Sequence, residues 1–227
     1  NPRSVVMSMT GHDYDSYWTS TETYEALRVY IAMNFDGLKD KITRLIAGEE
    51  IEINTTKFQN DMTTFNSADD ILTLLIHLGY LTYDFYTKKV RIPNSEVAQE
   101  FINSIEDGGW ENVMKAIRQS GELLEATLDG QVEKVAELLE QAHDENTSIL
   151  KYNDENSLAC VVSIAYYAAR KNYGVYREMP AGKGFADLVF VPYRNTDLPA
   201  LIVELKWDDK VQTAIHQIKS RNYPECL

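Results

Sequence analysis

The sequence is poor in the features that mark exported or membrane-spanning proteins. Its 227 residues contain two cysteines, Cys160 and Cys226, which are too few for a disulfide framework or a zinc-binding set. It has no run of about 18 apolar residues and no signal-peptide pattern, so it predicts neither membrane spanning nor export. We therefore expect a cytoplasmic protein with reduced thiols and no membrane partner.

A phosphate-binding loop for ATP is also lacking. The motif G-x-x-x-x-G-K-[ST] needs a glycine at each end of the loop and a hydroxyl after the lysine. The stretch Ala181–Gly184 has a Gly-Lys pair, but it lacks the first glycine at the required spacing and the hydroxyl. The sequence therefore does not predict ATP binding by this chain.

Positive charge is scarce and unevenly distributed. The chain has 22 Lys and Arg residues against 35 Asp and Glu residues, which gives a formal net charge of −13. Residues 96–146 hold thirteen acidic residues against three basic ones, whereas residues 151–227 have a net charge of +1. Because an acidic body repels a phosphate backbone at long range, nucleic-acid binding would have to use a local surface or another part of the protein.

The residue pattern divides the chain into three parts. It predicts helices over 21–35 and 37–47, a strand over 50–53, a helix over 71–78 opened by a capping box at Ser67, and a hairpin over 80–85 and 89–92. This order is typical of a winged-helix-like module, which we assign to residues 1–95. Residues 96–149 are predicted to form an acidic helical bridge, and residues 150–227 a separate α/β domain.

Winged helices often bind DNA, and this alternative has to be weighed. The helix that would enter the groove opens with Asp69 and Asp70 and has no Lys or Arg through Leu78. Groove insertion needs donors for bases and phosphates. We therefore favour a protein-contacting or lid role for this module.

Two apolar runs near the end of the chain carry charges that a buried strand tolerates poorly. The runs are residues 184–191, which contain Asp187, and residues 200–206, which contain Glu204 and Lys206. Side chains alternate along a strand, so Glu204 and Lys206 project from the same face. If the two runs pair, Asp187 can approach Glu204, and two carboxylates beside an ammonium form a plausible site for a hard cation.

This pattern resembles a known group of enzymes. Asp187 followed after a gap by Glu204-x-Lys206, and preceded by Gly182-Lys183-Gly184, resembles the PD-(D/E)XK phosphodiesterase superfamily. More narrowly, it is similar to the bacterial nuclease-like family that is fused behind an AAA-ATPase-like domain. The similarity covers roughly residues 150–227.

The resemblance extends to the helices on either side of the strands and to the first part of the chain. In that family the preceding helix carries a Glu and the following helix a Gln, which correspond here to Glu155 and Gln217, with Tyr223 beyond. A second similarity, to the C-terminal end of the ATPase-like partner, runs over roughly residues 1–95. It is carried by the stretches 1–5, 17–21 and 76–82.

The resemblance implies a restriction-endonuclease-like α/β core and a divalent-metal-dependent nuclease. It implies Mg²⁺, with Mn²⁺ as the alternative ion, held by Asp187, Glu204 and the Leu205 carbonyl. Lys206 would orient the attacking water or stabilise the charge that develops on the phosphate, and Glu155 would complete the site. Nucleic acid would be the substrate, and an upstream ATPase-like domain of the same parent protein would be a partner.

Alternatives remain open for individual residues and for the whole domain. The Glu155 carboxylate is predicted to lie on the apolar face of its helix, which is marked at helical spacing by Leu158, Val162, Ala165 and Ala169. A Glu at this position also complements the dipole of its helix after a cap at Asn153 or Asp154, and needs no metal. Gln217 flanks the apolar stripe of its helix, where a half-buried glutamine is ordinary. The alternative function is a non-catalytic protein-interaction or regulatory module that retains the nuclease-like fold.

The predicted core also looks incomplete at its C-terminal end. In the resembled fold further strands follow the helix that holds Gln217, whereas this sequence stops at Leu227. The strands with the acidic residues would then lie at an unprotected sheet edge. Either the chain has been cut or another chain completes the sheet, and the second alternative makes homo-oligomerisation a partner hypothesis.

Overall fold

The chain folds into two compact units of helices and small antiparallel sheets. A computed structural model describes residues 9–10, 29, 31–32, 34–58, 65–107, 110–146, 155–194, 196–206 and 211–226. The first unit comprises residues 1–46 and 50–111, and the second comprises residues 47–49 and 112–227. The predicted mixture of helix and sheet is confirmed. The predicted helix over 21–35 and the stretches 1–5 and 17–21 lie outside the described residues, apart from single positions.

In its described part, the first unit combines helices with a three-stranded sheet. Its elements are α1 (Leu38–Ile46), β1 (Ile51–Glu52), α2 (Ala68–His77), β2 (Thr82–Asp84), β3 (Lys89–Arg91) and α3 (Ser95–Asp107). The strand order is β1-β3-β2, with both pairs antiparallel. This agrees with the predicted order of elements, and the description of the unit as a winged helix remains a prediction.

Local sequence explains where α2 and the hairpin begin and end. The Ser67 hydroxyl accepts a hydrogen bond from the Asp70 backbone N–H, and the Asp70 carboxylate accepts one from the Ser67 N–H, which is the predicted capping box. In the β2–β3 turn, Asp84 Oδ1 accepts from the N–H groups of Tyr86 and Thr87 at 2.7 and 3.2 Å. These side chains satisfy backbone donors that have no partner in the helix or ladder.

The core of the first unit contains a carboxyl group that has no hydrogen-bond partner. Tyr80 and Phe101 are fully buried and meet edge to face, with their ring centroids 6.3 Å apart. On the same helix as Phe101, Glu100 is also fully buried, and neither of its carboxylate oxygens has a hydrogen-bond partner in the described structure. Burial raises the pKa of Glu100, and the nearby charge of Glu96 raises it further.

The second unit packs helices on a three-stranded antiparallel sheet of order β4-β5-β6. Its elements are α4 (Glu111–Leu128, whose first residue belongs to the first unit), α5 (Val132–Asn146), α6 (Glu155–Ala165), β4 (Tyr173–Ala181), β5 (Gly184–Pro192), β6 (Leu201–Val203) and α7 (Val211–Ser220). The predicted acidic bridge over 96–149 is thus divided, with α3 in the first unit and α4 and α5 in the second. The predicted domain boundaries at 95 and 149 remain predictions.

Neighbouring residues of β5 pack on opposite sides of this sheet. Phe190 meets Tyr166, which directly follows α6, and Tyr173 of β4, with ring centroids 5.4 and 6.2 Å apart. Val189 instead belongs to an apolar cluster against which Ile218 of α7 packs. Since consecutive strand residues point to opposite faces, the sheet lies between α6 and α7. Among the described residues, no helix is both long and apolar enough to cross a bilayer.

The alternation along the β4–β5 hairpin is interrupted near Asp187. The register pairs Arg177 with Leu188 and Met179 with Ala186, so that Glu178 stands across from Asp187. Glu178 has a left-handed backbone conformation, with φ of 49°. Ala186 and Val189 lie in one apolar cluster although regular alternation would put them on opposite faces. The regular alternation of side chains between the two faces of the sheet is therefore broken at Asp187.

Replacing Glu100 with Gln should stabilise the protein in a pH-dependent way. Since the folded-state pKa lies above the ordinary value of 4.5, the folded protein binds more protons than the unfolded chain in the window above pH 4.5. Wild-type stability therefore falls as pH rises through that window, and glutamine removes this loss. We expect Glu100→Gln to raise the thermal unfolding midpoint at pH 7.5 and to change it little at pH 4. The control is Glu106→Gln, an exposed carboxylate on the same helix, and an equal effect at both pH values would contradict the assignment.

Candidate active site

Antiparallel pairing of β5 and β6 brings the two predicted carboxylates together. The register pairs Leu188 with Val203, and one more step in the same register sets Asp187 opposite Glu204. Beyond Val203 the ladder gives way to a side-chain contact, in which the Leu205 backbone N–H donates to Asp187 Oδ2 at 2.7 Å. This bond fixes the Asp187 carboxylate and the backbone that carries Glu204 with respect to each other.

Glu204 is the most buried charged group of the site. Its side chain is 1% exposed, and its Oε1 accepts a hydrogen bond from Lys206 Nζ at 2.8 Å. Its Oε2 is buried and has no hydrogen-bond partner in the described part of the chain. The predicted strand over 200–206 is shorter, since β6 ends at Val203, but the contact agrees with the prediction that Glu204 and Lys206 project to the same side. A carboxylate oxygen that is buried without a donor is costly, so it points to a missing partner such as a cation.

The Glu204 carboxyl and the Lys206 ammonium affect each other's pKa. Burial raises the pKa of Glu204, and the negative charge of Asp187 raises it further. The hydrogen bond from Lys206 and the positive charge of Arg221 act in the opposite direction and lower it. Burial acts to lower the pKa of Lys206, but the hydrogen bond to Glu204 and the charges of Glu204, Asp187 and Glu155 together raise it. Lys206 therefore remains a cation at neutral pH.

Glu155 lies at the edge of this group. It is the first described residue of α6 and is exposed, whereas Val162 and Ala165 on the predicted apolar stripe are buried. We expected the carboxylate on the apolar face, but the first turn leaves it open to solvent. Its charge nevertheless acts on Lys206. Glu155 therefore shares the electrostatic environment of the site, and its role in a metal shell remains a prediction.

Gln217 has a different hydrogen-bond partner. Its Nε2 donates to the Tyr223 hydroxyl at 3.0 Å, and that hydroxyl donates to the Phe185 carbonyl at 2.7 Å. The Tyr223 ring is fully buried in the cluster that contains Ala186 and Val189. Gln217 thus helps to attach the end of α7 to β5, and its catalytic role remains a prediction.

The β4–β5 turn is also attached to the end of α7. Gly182 has a φ of +53°, and a Cβ at this position would lie 2.1 Å from the Arg221 carbonyl oxygen. The Lys183 N–H donates to the same carbonyl at 2.9 Å. Only glycine allows this close approach in the left-handed conformation. The turn therefore holds β5, and with it Asp187, against the chain that follows α7.

A third set of contacts positions the start of α6, and the sequence pattern did not reveal it. Arg177 of β4 pairs with Glu49 at 3.3 Å, and its guanidinium donates to the side chain of Asn156, the neighbour of Glu155. Asn156 Nδ2 in turn donates to Glu49 Oε1 at 3.0 Å. Glu49 lies more than a hundred residues from both partners, so no local pattern could have predicted this network.

The residues present fit a small divalent cation in part. Two carboxylates and a backbone carbonyl are the hard oxygen ligands that Mg²⁺ takes, and Mg²⁺ retains several waters in place of further protein ligands. The buried Glu204 Oε2 supplies an oxygen without a donor beside Asp187. Within the described ranges, however, no group of three or more His, Cys, Asp or Glu side chains is arranged to hold a metal ion. The fit therefore rests on the two acids and the Leu205 carbonyl.

The two carboxylates and the lysine lie on β5 and directly after β6, in a sheet between helices. A family model described as the PD-(D/E)XK nuclease superfamily matches residues 153–227, a range that contains Asp187, Glu204 and Lys206. The predicted resemblance is confirmed for this part of the chain at the level of the superfamily. No curated protein and no solved structure gives a significant match. The similarity of residues 1–95 to an ATPase-like domain remains a prediction.

Gly182→Ala should destabilise the protein more than an equivalent change at an open position. A left-handed alanine costs about 1–2 kcal/mol relative to glycine, and the clash with the Arg221 carbonyl should add roughly 1–3 kcal/mol. The matched control is Gly79→Ala, because Gly79 also has positive φ but nothing lies within 4 Å of an added Cβ. Urea unfolding of both variants measures the difference. Equal losses of stability would contradict the contact between the turn and Arg221.

Proposed function

We propose that residues 153–227 form a divalent-metal-dependent phosphodiesterase that cleaves nucleic acid. The observation that carries the proposal is the buried Glu204 Oε2, which has no donor among the described residues and belongs to the carboxylate that faces Asp187 and binds Lys206. A purely structural ion pair would satisfy both oxygens or leave the second one in solvent. The match of these residues to the nuclease superfamily supports the same function.

In this proposal Asp187, Glu204 and the Leu205 carbonyl hold Mg²⁺, or Mn²⁺ in its place. When bound, the cation would lower the pKa of a water molecule and neutralise charge on a phosphate oxygen. The protein contributes by fixing the two acids, since the Leu205 N–H restrains Asp187 and Lys206 restrains Glu204. Glu155 adds negative charge at the edge of the site and contributes less than Glu204 and Asp187 to the raised pKa of Lys206.

Lys206 acts as a cation in this scheme and not as a general base. Its pKa is raised, so it holds its proton at neutral pH. A protonated lysine has no free electron pair and so cannot accept a proton from water. A protonated lysine can donate a hydrogen bond to the attacking water or to a phosphate oxygen that gains charge. Because this charge develops in the transition state, the contribution of Lys206 falls mainly on turnover.

A second candidate function is a non-catalytic interaction module that retains the nuclease-like fold. One observation favours it: the Lys206 ammonium already occupies Glu204 Oε1. In an inactive relative this pair would serve only to neutralise the buried acid. The two functions differ in whether the site binds a divalent cation.

We also propose that the first unit includes the winged-helix-like end of an ATPase-like domain and contacts protein, not DNA. The basic residues of its hairpin face acids, since Arg91 pairs with Glu50 at 3.5 Å and the register sets Lys89 opposite both Glu52 and Asp84. Positive charge that is balanced in this way attracts phosphate weakly.

Metal titration combined with a cleavage assay tests the nuclease proposal. Asp187→Asn and Glu204→Gln should each abolish Mg²⁺ and Mn²⁺ binding by calorimetry and abolish cleavage, because each removes a charged ligand. Lys206→Ala should retain metal binding and lose about 10²–10³-fold in turnover. Asp197→Asn, an exposed carboxylate of the same unit, is the control and should behave as wild type. Full cleavage by Asp187→Asn would refute the assignment, and a wild type without metal binding or cleavage would favour the interaction module.

The hairpin of the first unit should contribute little to nucleic-acid affinity. The test is simultaneous replacement of Lys88, Lys89 and Arg91 with Ala, followed by anisotropy titration of a labelled oligonucleotide at several salt concentrations. We expect nearly unchanged affinity, because Arg91 and Lys89 face neighbouring acids and Lys88 lies over the Phe85 ring. A large loss, with a salt slope reduced by about one unit per residue, would mean that the hairpin contacts phosphates.

A further inference from the structure

The turn between β4 and β5 carries basic and aromatic side chains beside the candidate active site. Lys183 and Arg221 are both exposed, and in the described structure neither forms an ion pair or a side-chain hydrogen bond. Phe185, one residue beyond the turn, is 61% exposed. In a chain with a formal net charge of −13, this turn thus offers two cations and an exposed aromatic ring to a negatively charged ligand.

The structure fixes this surface with respect to the acids. The Lys183 N–H donates to the Arg221 carbonyl, and the Tyr223 hydroxyl donates to the Phe185 carbonyl, so the turn and the chain after α7 are joined by two hydrogen bonds. Phe185 precedes Asp187 by two residues on β5, a distance of about 7 Å along a strand. The surface therefore borders the site.

The Arg221 side chain lies across the beginning of β5. A Cβ at Gly184 would lie 2.7 Å from Arg221 Nη1 and 2.9 Å from its Cδ, so the missing side chain of Gly184 leaves room for the arginine. Arg221 is also close enough for its charge to act on Glu204. The absence of a side chain at Gly184 thus allows the Arg221 guanidinium to lie against β5 and not to extend freely into solvent.

We propose that Lys183, Phe185 and Arg221 form a binding surface for single-stranded nucleic acid, which delivers one phosphodiester to the site of Asp187 and Glu204. The two cations bind backbone phosphates, and the Phe185 ring stacks on an unpaired base. This inference rests on the proposed function and names its substrate class. Single strands fit because their bases are free to stack on an aromatic ring, whereas the bases of a duplex are already stacked on each other.

The proposal is tested by binding in the absence of metal, which separates substrate recognition from cleavage. Labelled 12-nucleotide DNA and RNA strands and the corresponding DNA duplex are titrated in EDTA, with anisotropy as the readout. Wild type should bind the single strands more tightly than the duplex. Phe185→Ala should weaken single-strand binding about 5- to 150-fold, as expected for one lost base stack, and Phe185→Tyr should restore it.

The cations should show a different signature. Arg221→Ala and Lys183→Ala should each weaken binding and reduce the slope of log affinity against log salt by about 0.7, the value for one phosphate contact on a single strand. The matched controls lie at the other end of the same hairpin, where Tyr193 is 51% exposed and Arg194 is exposed. Tyr193→Ala and Arg194→Ala should leave affinity and salt slope unchanged.

The outcomes distinguish this proposal from the proposed nuclease function. If wild type cleaves nucleic acid but the Phe185, Lys183 and Arg221 variants bind and cleave normally, the surface is wrong and the nuclease assignment stands. If these variants lose single-strand binding while wild type neither binds metal nor cleaves, the surface stands and the nuclease function is wrong. Equal affinity of wild type for duplex and single strand, unaffected by Phe185→Ala, would overturn the stacking role.

Discussion

The second unit depends on the placement of one buried carboxylate next to a second one. The Glu204 side chain is almost completely removed from solvent, yet within the described ranges only one of its oxygens has a donor. Asp187 stands opposite and adds repulsion, and Lys206 alone among the described side chains offsets it directly. Removing charge from water is costly, so the fold must hold this arrangement by contacts elsewhere. Such an arrangement costs stability without a cation and gains it when a cation binds.

Three sets of contacts support the arrangement of Asp187 and Glu204. The Leu205 N–H restrains Asp187, Arg177 and Glu49 hold the residue next to Glu155, and the chain after α7 holds the β4–β5 turn. Glu178, which has a left-handed backbone conformation, lies across from Asp187, where the regular alternation of side chains is broken. An unfavourable backbone conformation of this kind persists only where its surroundings determine it. The irregular part of the sheet is therefore the part that carries the acids.

Sequence reasoning succeeded where the interactions are local or periodic. Alternation in a strand put Glu204 and Lys206 on one face, and the Ser67–Asp70 capping box located the start of α2. It could not find Glu49 as the partner of Arg177, because 128 residues separate them. The exposure of Glu155 was also missed, since the periodicity of a helix does not tell how far its first turn extends beyond the packed core. The division of residues 96–149 between two units depends on tertiary contacts that composition does not encode.

Charge distribution connects the site with the rest of the chain. A net charge of −13 repels phosphate at distances within a Debye length, about 8 Å in physiological salt. At shorter range the nearest charges decide, and beside the acids Asp187 and Glu204 these include the cations Lys206 and Arg221. In the first-unit hairpin Arg91 and Lys89 face acids, so these two cations attract a phosphate backbone weakly. In our proposal, nucleic acid therefore binds where Lys183, Arg221 and the exposed Phe185 ring border the two carboxylates.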